Sequence, residues 1–200
     1  MSEGRFSHAS VVLDGKIYAM GGYDNGHLDT VEVYDPQANS WQRVASMPQR
    51  LSSLAAAVMG GKIYVTGGRS AGGALNSAYV YDPQADAWTQ LTSMGTVREG
   101  HDAAAVGGKL YVFGGWGGGG RLSTAEVYDP QADAWTQLAS MGTVRERHAS
   151  AAVGCKLYVF GGYDANERLS TAEVYDPASD SWGQALELTS ARAAMKAVAL

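Results

Sequence analysis

The chain has 200 residues, with 46% hydrophobic and 18% charged side chains and a formal net charge of −5. This is enough apolar material for a sizeable core, and the acidic balance excludes a nucleic-acid binder, which needs a basic face. No apolar run approaches the roughly 20 residues that span a bilayer. Met1-Ser2-Glu3-Gly4-Arg5 lacks the basic start and apolar core of a secretory leader, and Cys155 is a single cysteine, so an intramolecular disulfide framework is excluded. The expectation is a cytoplasmic protein with no membrane or nucleic-acid partner and no cofactor.

Read from the N-terminus, the chain repeats itself. Arg5 opens a first unit, followed by Ser7 to Leu13, Tyr18, a Gly-Gly pair at Gly21, Tyr34-Asp35-Pro36 and Trp41. The same signals return at Arg50, Tyr64, Gly67, Tyr81 and Trp88, then at Arg98, Tyr111, Gly114, Tyr128 and Trp135, then at Arg145, Tyr158, Gly161, Tyr175 and Trp182. The Tyr-Asp-Pro triplet recurs every 47 residues, and each Trp follows its Tyr by seven. Within the third unit the spacing predicts four strands: A over Asp102 to Val106, B over Leu110 to Phe113, C over Ala125 to Tyr128 and D over Trp135 to Leu138. Gly107-Gly108 makes the A–B hairpin, Gly114-Gly115 ends B, and Asp129-Pro130 ends C. A sheet of this kind is apolar on both faces and must stack on another copy. Stacking around an axis makes a propeller, with strand A innermost, where Ala55 to Ala57 and Ala103 to Ala105 fit the crowding.

The unit that reads Arg145, His148, Lys156 to Gly162, Ala172 to Pro177 and Trp182 resembles the Kelch repeat, and the likeness covers nearly the whole chain in register. The resemblance implies an all-β Kelch-type propeller of four-stranded antiparallel blades, in a family whose rings usually hold about five to seven blades. The implied blades are 5–49, 50–97, 98–144 and 145–191, with 192–200 as an extra innermost strand, so that the four form a closed ring or part of a larger one. The extra strand would allow self-association through the terminal strands. Members of the family are usually interaction modules, such as substrate adaptors and scaffolds. A minority are enzymes; a sugar-acting enzyme of the sialic acid mutarotase type would here draw on Glu99, Glu146, Arg145 and Trp116.

The B–C and D–A connections fall on one face and vary between units, as recognition surfaces do. Nine of the ten arginines lie on that side, whereas Lys16, Lys62, Lys109 and Lys156 lie in A–B turns on the other, with Asp35, Asp82, Asp129 and Asp176. Arginine with tyrosine and tryptophan is the usual composition of a binding hot spot. In peptide-binding Kelch domains the start of strand A and the position after Gly-Gly commonly face the ligand. The resemblance therefore implies Arg98, Arg145, Arg69, Trp116 and Tyr163 as partner-binding residues, and the arginine-rich face and its aromatic loop position add Arg50, Tyr23 and the irregular Arg121, Arg147 and Arg168. The expected ligand is an acidic peptide or protein loop. The recurring arginines have a structural reading too: a pairing within the blade, or neutralisation by the adjacent Glu99 and Glu146. His8, His101 and His148 share one position and would either converge like metal ligands or hydrogen-bond across the blade start. Gly117 to Gly120 is followed by no Lys-Ser/Thr and no helix, which argues against a phosphate loop, and Cys155 reads as an inert surface thiol.

Overall fold

The computed structural model describes residues 1–197. Among them there is no helix, and the chain is laid out as four consecutive four-stranded antiparallel sheets. The first blade holds β1 (Ala9–Leu13), β2 (Lys16–Met20), β3 (Val31–Asp35) and β4 (Ser40–Val44). The second holds β5 (Ala55–Met59), β6 (Lys62–Thr66), β9 (Ala78–Asp82) and β10 (Ala87–Leu91), with a small ribbon, β7 (Arg69–Ser70) and β8 (Gly73–Ala74), rising from its middle connection. The third holds β11 (Asp102–Val106), β12 (Lys109–Phe113), β13 (Ala125–Asp129) and β14 (Ala134–Leu138). The fourth holds β15 (Ala149–Val153), β16 (Lys156–Phe160), β17 (Ala172–Asp176) and β18 (Ser181–Ala185).

Each sheet is set by local chemistry. The first hairpin turns on Asp14 and Gly15, both at positive φ, which matches the twist of the strands it joins. The third strand stops at an aspartate whose carboxylate accepts backbone N–H groups two and three residues on, as Asp35 does from Gln37 and Ala38. That aspartate also holds the lysine of the neighbouring hairpin: Lys16 to Asp35 at 3.1 Å, Lys62 to Asp82 at 2.9 Å, Lys109 to Asp129 at 3.0 Å and Lys156 to Asp176 at 3.1 Å.

The core lies between the blades. Tyr18, Met20, Val31 and Val33 of the first blade meet Ile63, Val65 and Tyr81 of the second. Tyr64 meets Leu110, Val112 and Tyr128 at the next junction, and Tyr111 and Phe113 meet Leu157, Val159 and Tyr175 at the last. Innermost strands pack β1 on β5, β5 on β11 and β11 on β15, with no comparable contact from β15 back to β1. The four blades thus form an open arc. Of the expected extra strand, Ala193 to Ala197 pair in no sheet, and Val198 to Leu200 lie outside the described residues.

Candidate functional site

The recurring arginine is a pillar of the blade, and this corrects the expectation for Arg98 and Arg145. Both are fully buried. Arg98 donates to the carbonyls of Gly114 at 2.8 Å and Thr124 at 3.1 Å and pairs with Glu126 at 2.7 Å; Arg145 does the same with Gly161, Thr171 and Glu173. Burial pulls the Arg98 guanidinium below its ordinary range, and Glu126 offsets this. Glu126 also accepts from the N–H groups of Gly95 and Thr96, tying the blade to its predecessor. The glycine pair is required by the same construction. Gly114 and Gly115 sit at φ +55° and +92°, and a Cβ on either would strike the Arg145 or the Glu99 carbonyl.

Arg50 does not belong to this series of buried arginines. It stands exposed, held loosely by Asp29 at 3.4 Å, and the pillar position of the second blade is taken by Leu51, which is fully buried. Tyr79 replaces the glutamate there, so both ends of the ion pair have given way to uncharged groups together. The spacing could have shown this: Tyr81 to Arg98 and Tyr128 to Arg145 are each 17 residues, and 17 beyond Tyr34 is Leu51. The neutralising role expected of Glu99 and Glu146 is also different. They reach Arg69 at 2.7 Å and Arg121 at 2.9 Å, in neighbouring loops.

Immediately after each pillar the chain turns toward the axis. Ser7, Ser53, Gly100, Arg147 and Ala194 all have φ between 51° and 59°. They are chained by backbone hydrogen bonds: Ser53 N–H to Ser7, Gly100 to Ser53, Arg147 to Gly100 and Ala194 to Arg147, at 2.7 to 2.8 Å. Four of these five are not glycine, so the left-handed turn is held by tertiary bonding against a local cost. The residue before the turn pairs with the residue after Gly-Gly: Phe6 with Tyr23, Ser52 with Arg69, Glu99 with Trp116 and Glu146 with Tyr163. Each of these loops then doubles back as a short hairpin, which brings His27 to Tyr23, Arg121 to Trp116 and Arg168 to Tyr163.

The result is an open mouth at one end of the axis, a cavity of about 730 Å³. Of the residues expected to bind, Tyr23, Arg69, Trp116 and Arg147 line it. Arg121 lies 5.6 Å from the Trp116 ring and Arg168 5.6 Å from that of Tyr163, where both buttress an aromatic at the rim. The sequence reading passed over Phe6, which is 64% exposed and packs on Tyr23 with ring centroids 5.4 Å apart, together with His27 and Ser52. Phe6 occupies the position of Glu99 and Glu146, and that register was the available signal. Arg69 and Arg121 each have a glutamate; Arg147 is exposed and makes no ion pair among the described residues.

Below the mouth the three histidines ring the channel. His101 Nε2 lies 2.9 Å from the Thr66 hydroxyl, a bond across the blade junction. Burial pushes both His101 and His148 well below the ordinary imidazole range, His148 to about 3, with Arg98 and Arg145 adding to the effect. Among the described residues no group of metal-ligating side chains is assembled. No helix there is long and apolar enough to cross a membrane.

Several known proteins share stretches of this sequence. Kelch-like protein 35 of Mus musculus is 42% identical over 74 residues, 36% of this chain and 13% of that protein. Kelch-like protein 33 of Homo sapiens is 42% identical over 69 residues, 34% of this chain and 13% of its own length. Kelch-like ECH-associated protein 1A of Danio rerio is 44% identical over 54 residues, 27% of this chain and 9% of its own. The matched part is thus a small fraction of each relative. The profile of the KLHDC2/KLHL20/DRC7 Kelch-repeats domain matches residues 7–198, which takes in every strand of the four blades, and the chain belongs to that Kelch-repeat family.

Proposed function

We propose that the chain is a non-enzymatic protein-interaction module that takes a peptide or a loop of a partner protein at the mouth. Its Kelch-like relatives support an interaction role in general terms. The single observation that carries the finer reading is Arg147: a guanidinium with no acidic partner among the described residues, held at a strained φ of 52° in a concave mouth it shares with Trp116 and Tyr23. Arginine offers a planar pair of donors to a carboxylate, and an aromatic beside it supplies apolar area at low entropic cost. Glu99 and Glu146 already answer Arg69 and Arg121, so the acidic character of the ligand narrows to a carboxylate placed for Arg147.

A displayed library of random peptides selected on the whole chain tests this reading. The enriched peptides should carry an Asp or Glu, should lose at least about tenfold in affinity for Trp116→Ala, and should lose affinity for Arg147→Gly. Glycine already stands at that position in the third blade as Gly100, so Arg147→Gly removes the guanidinium while easing the backbone. Enriched peptides that bind both variants as well as the parent would refute the mouth.

A further inference from the structure

Each blade is fastened to the one before it by the same clamp. The residue that follows the outermost strand, Ala45, Thr92 or Ala139, has its N–H and C=O gripped together by the next blade. Asp86 accepts the Ala45 N–H at 2.8 Å while Trp88 Nε1 donates to the Ala45 carbonyl at 2.9 Å. Asp133 and Trp135 hold Thr92 at 3.1 and 2.8 Å, and Asp180 and Trp182 hold Ala139 at 2.9 and 2.8 Å. Beneath the clamps Ile63, Leu110 and Leu157 are fully buried.

The two ends of the arc carry the unused halves. Leu186 stands in the fourth blade where Ala45, Thr92 and Ala139 stand in the others; it is 94% exposed and no described residue bonds its backbone. In the first blade Trp41 Nε1 has no partner among the described residues. Asn39 holds the aspartate position there, at the same left-handed φ of 47° and with the same bond from its tyrosine, Tyr34, at 2.8 Å. Ile17, the counterpart of those three buried residues, is 37% exposed.

We infer that a second copy of this chain docks head to tail, with Asn39 and Trp41 of one copy gripping Leu186 of the other and Ile17 closing onto the outward face of the fourth blade. On that face Tyr158 and Phe160 are half-buried, whereas Tyr111 and Phe113 in the third blade are covered. A second copy is the occupant because one chain holds both halves of a joint that it satisfies three times within itself. The contact is heterologous, so it closes on itself or runs on. Its inner end is held by the tail: Arg192 C=O accepts from Gly162 N–H at 2.9 Å, and Ala194 N–H donates to Arg147 at 2.8 Å. An incoming Arg5 to Ser7 takes those places, and docking therefore displaces the tail.

Light scattering of the whole chain at low and high micromolar concentration tests this. The average mass should rise with concentration, and Leu186→Arg and Ile17→Glu should each abolish the rise. An equimolar mixture of the two variants should recover a dimer and nothing larger, because one variant keeps a sound first blade and the other a sound fourth. Ala194→Pro, which can neither hold a positive φ nor donate to Arg147, should free the tail and tighten association several-fold. A parent monomeric at every concentration overturns the inference. So does an association that survives Leu186→Arg but not Ile17→Glu, since that pattern marks two first blades meeting face to face, and so does a weaker association of Ala194→Pro.

Discussion

The exchange of Arg98 and Glu126 for Leu51 and Tyr79 shows what the buried pair contributes. An ion pair taken out of water gives back little net stability, but half of one is costly. Arg98→Leu alone strands Glu126 and should destabilise by about 3–5 kcal/mol. Arg98→Leu with Glu126→Tyr, copying the second blade, should recover most of that loss in urea unfolding. An uncorrected double variant would mean that the second blade depends on something besides this pair, such as Gln49, whose side-chain oxygen lies 3.3 Å from the Ser77 and Tyr79 hydroxyls. His148 offers a second test at this scale. Its folded value of about 3 lies below the free value of 6.5. As pH falls through that interval the unfolded chain takes up a proton that the folded chain refuses, so stability is full above 6.5 and is lost toward 3, by up to about 1.4 kcal/mol per pH unit. The second blade carries Leu54 at this position. His148→Leu should therefore shrink the loss of stability between pH 7 and pH 5 by up to about 2 kcal/mol, measured as the difference between urea curves.

At the level of the strand and blade, the indole clamps make a comparison within one molecule. Trp88→Phe keeps an aromatic ring but forfeits the bond to Ala45 and should cost about 1 kcal/mol. Trp41→Phe forfeits no bond among the described residues and should cost distinctly less in the dilute chain; equal losses would show that ring size alone matters. The blades were legible in the sequence because their determinants are local: a Gly-Gly pair, a Tyr-Asp-Pro turn and an alternating strand sit within a few residues of one another. The pillars were harder to read, because Arg98 and Glu126 are 28 residues apart and only three-dimensional pairing shows that they meet. Arg50 looked like a member of the series for the same reason. It is one residue out of step, and a single step exchanges a buried position for an exposed one. The mouth was half legible: loop variability pointed to Tyr23, Arg69, Trp116 and Arg147, but cross-strand register was needed to place Phe6 beside them.

The arc as a whole has two inner blades covered on both faces and two outer blades covered on one. Since neighbours supply most of each blade's burial, stability should be graded along the chain. Amide hydrogen exchange should be slowest in β6, β9, β12 and β13 and faster in β2, β3, β16 and β17; uniform protection would indicate a single cooperative unit instead. The closed or partial ring left open by the sequence resolves as an arc, because closure depends on the meeting of the first and last blades and no local motif encodes that. The hairpins beyond Gly-Gly have a further consequence. From Tyr23 to His27 the chain runs four residues, while Trp116 to Arg121 and Tyr163 to Arg168 each take five, yet every one springs from the same bridge to the blade start. Tip length thus varies without disturbing the architecture, and under the proposed function ligand preference would be set apart from it. A protein engineer can swap these tips for foreign segments of unequal size and expect the scaffold to keep its pitch, which makes the molecule a socket set for new specificities.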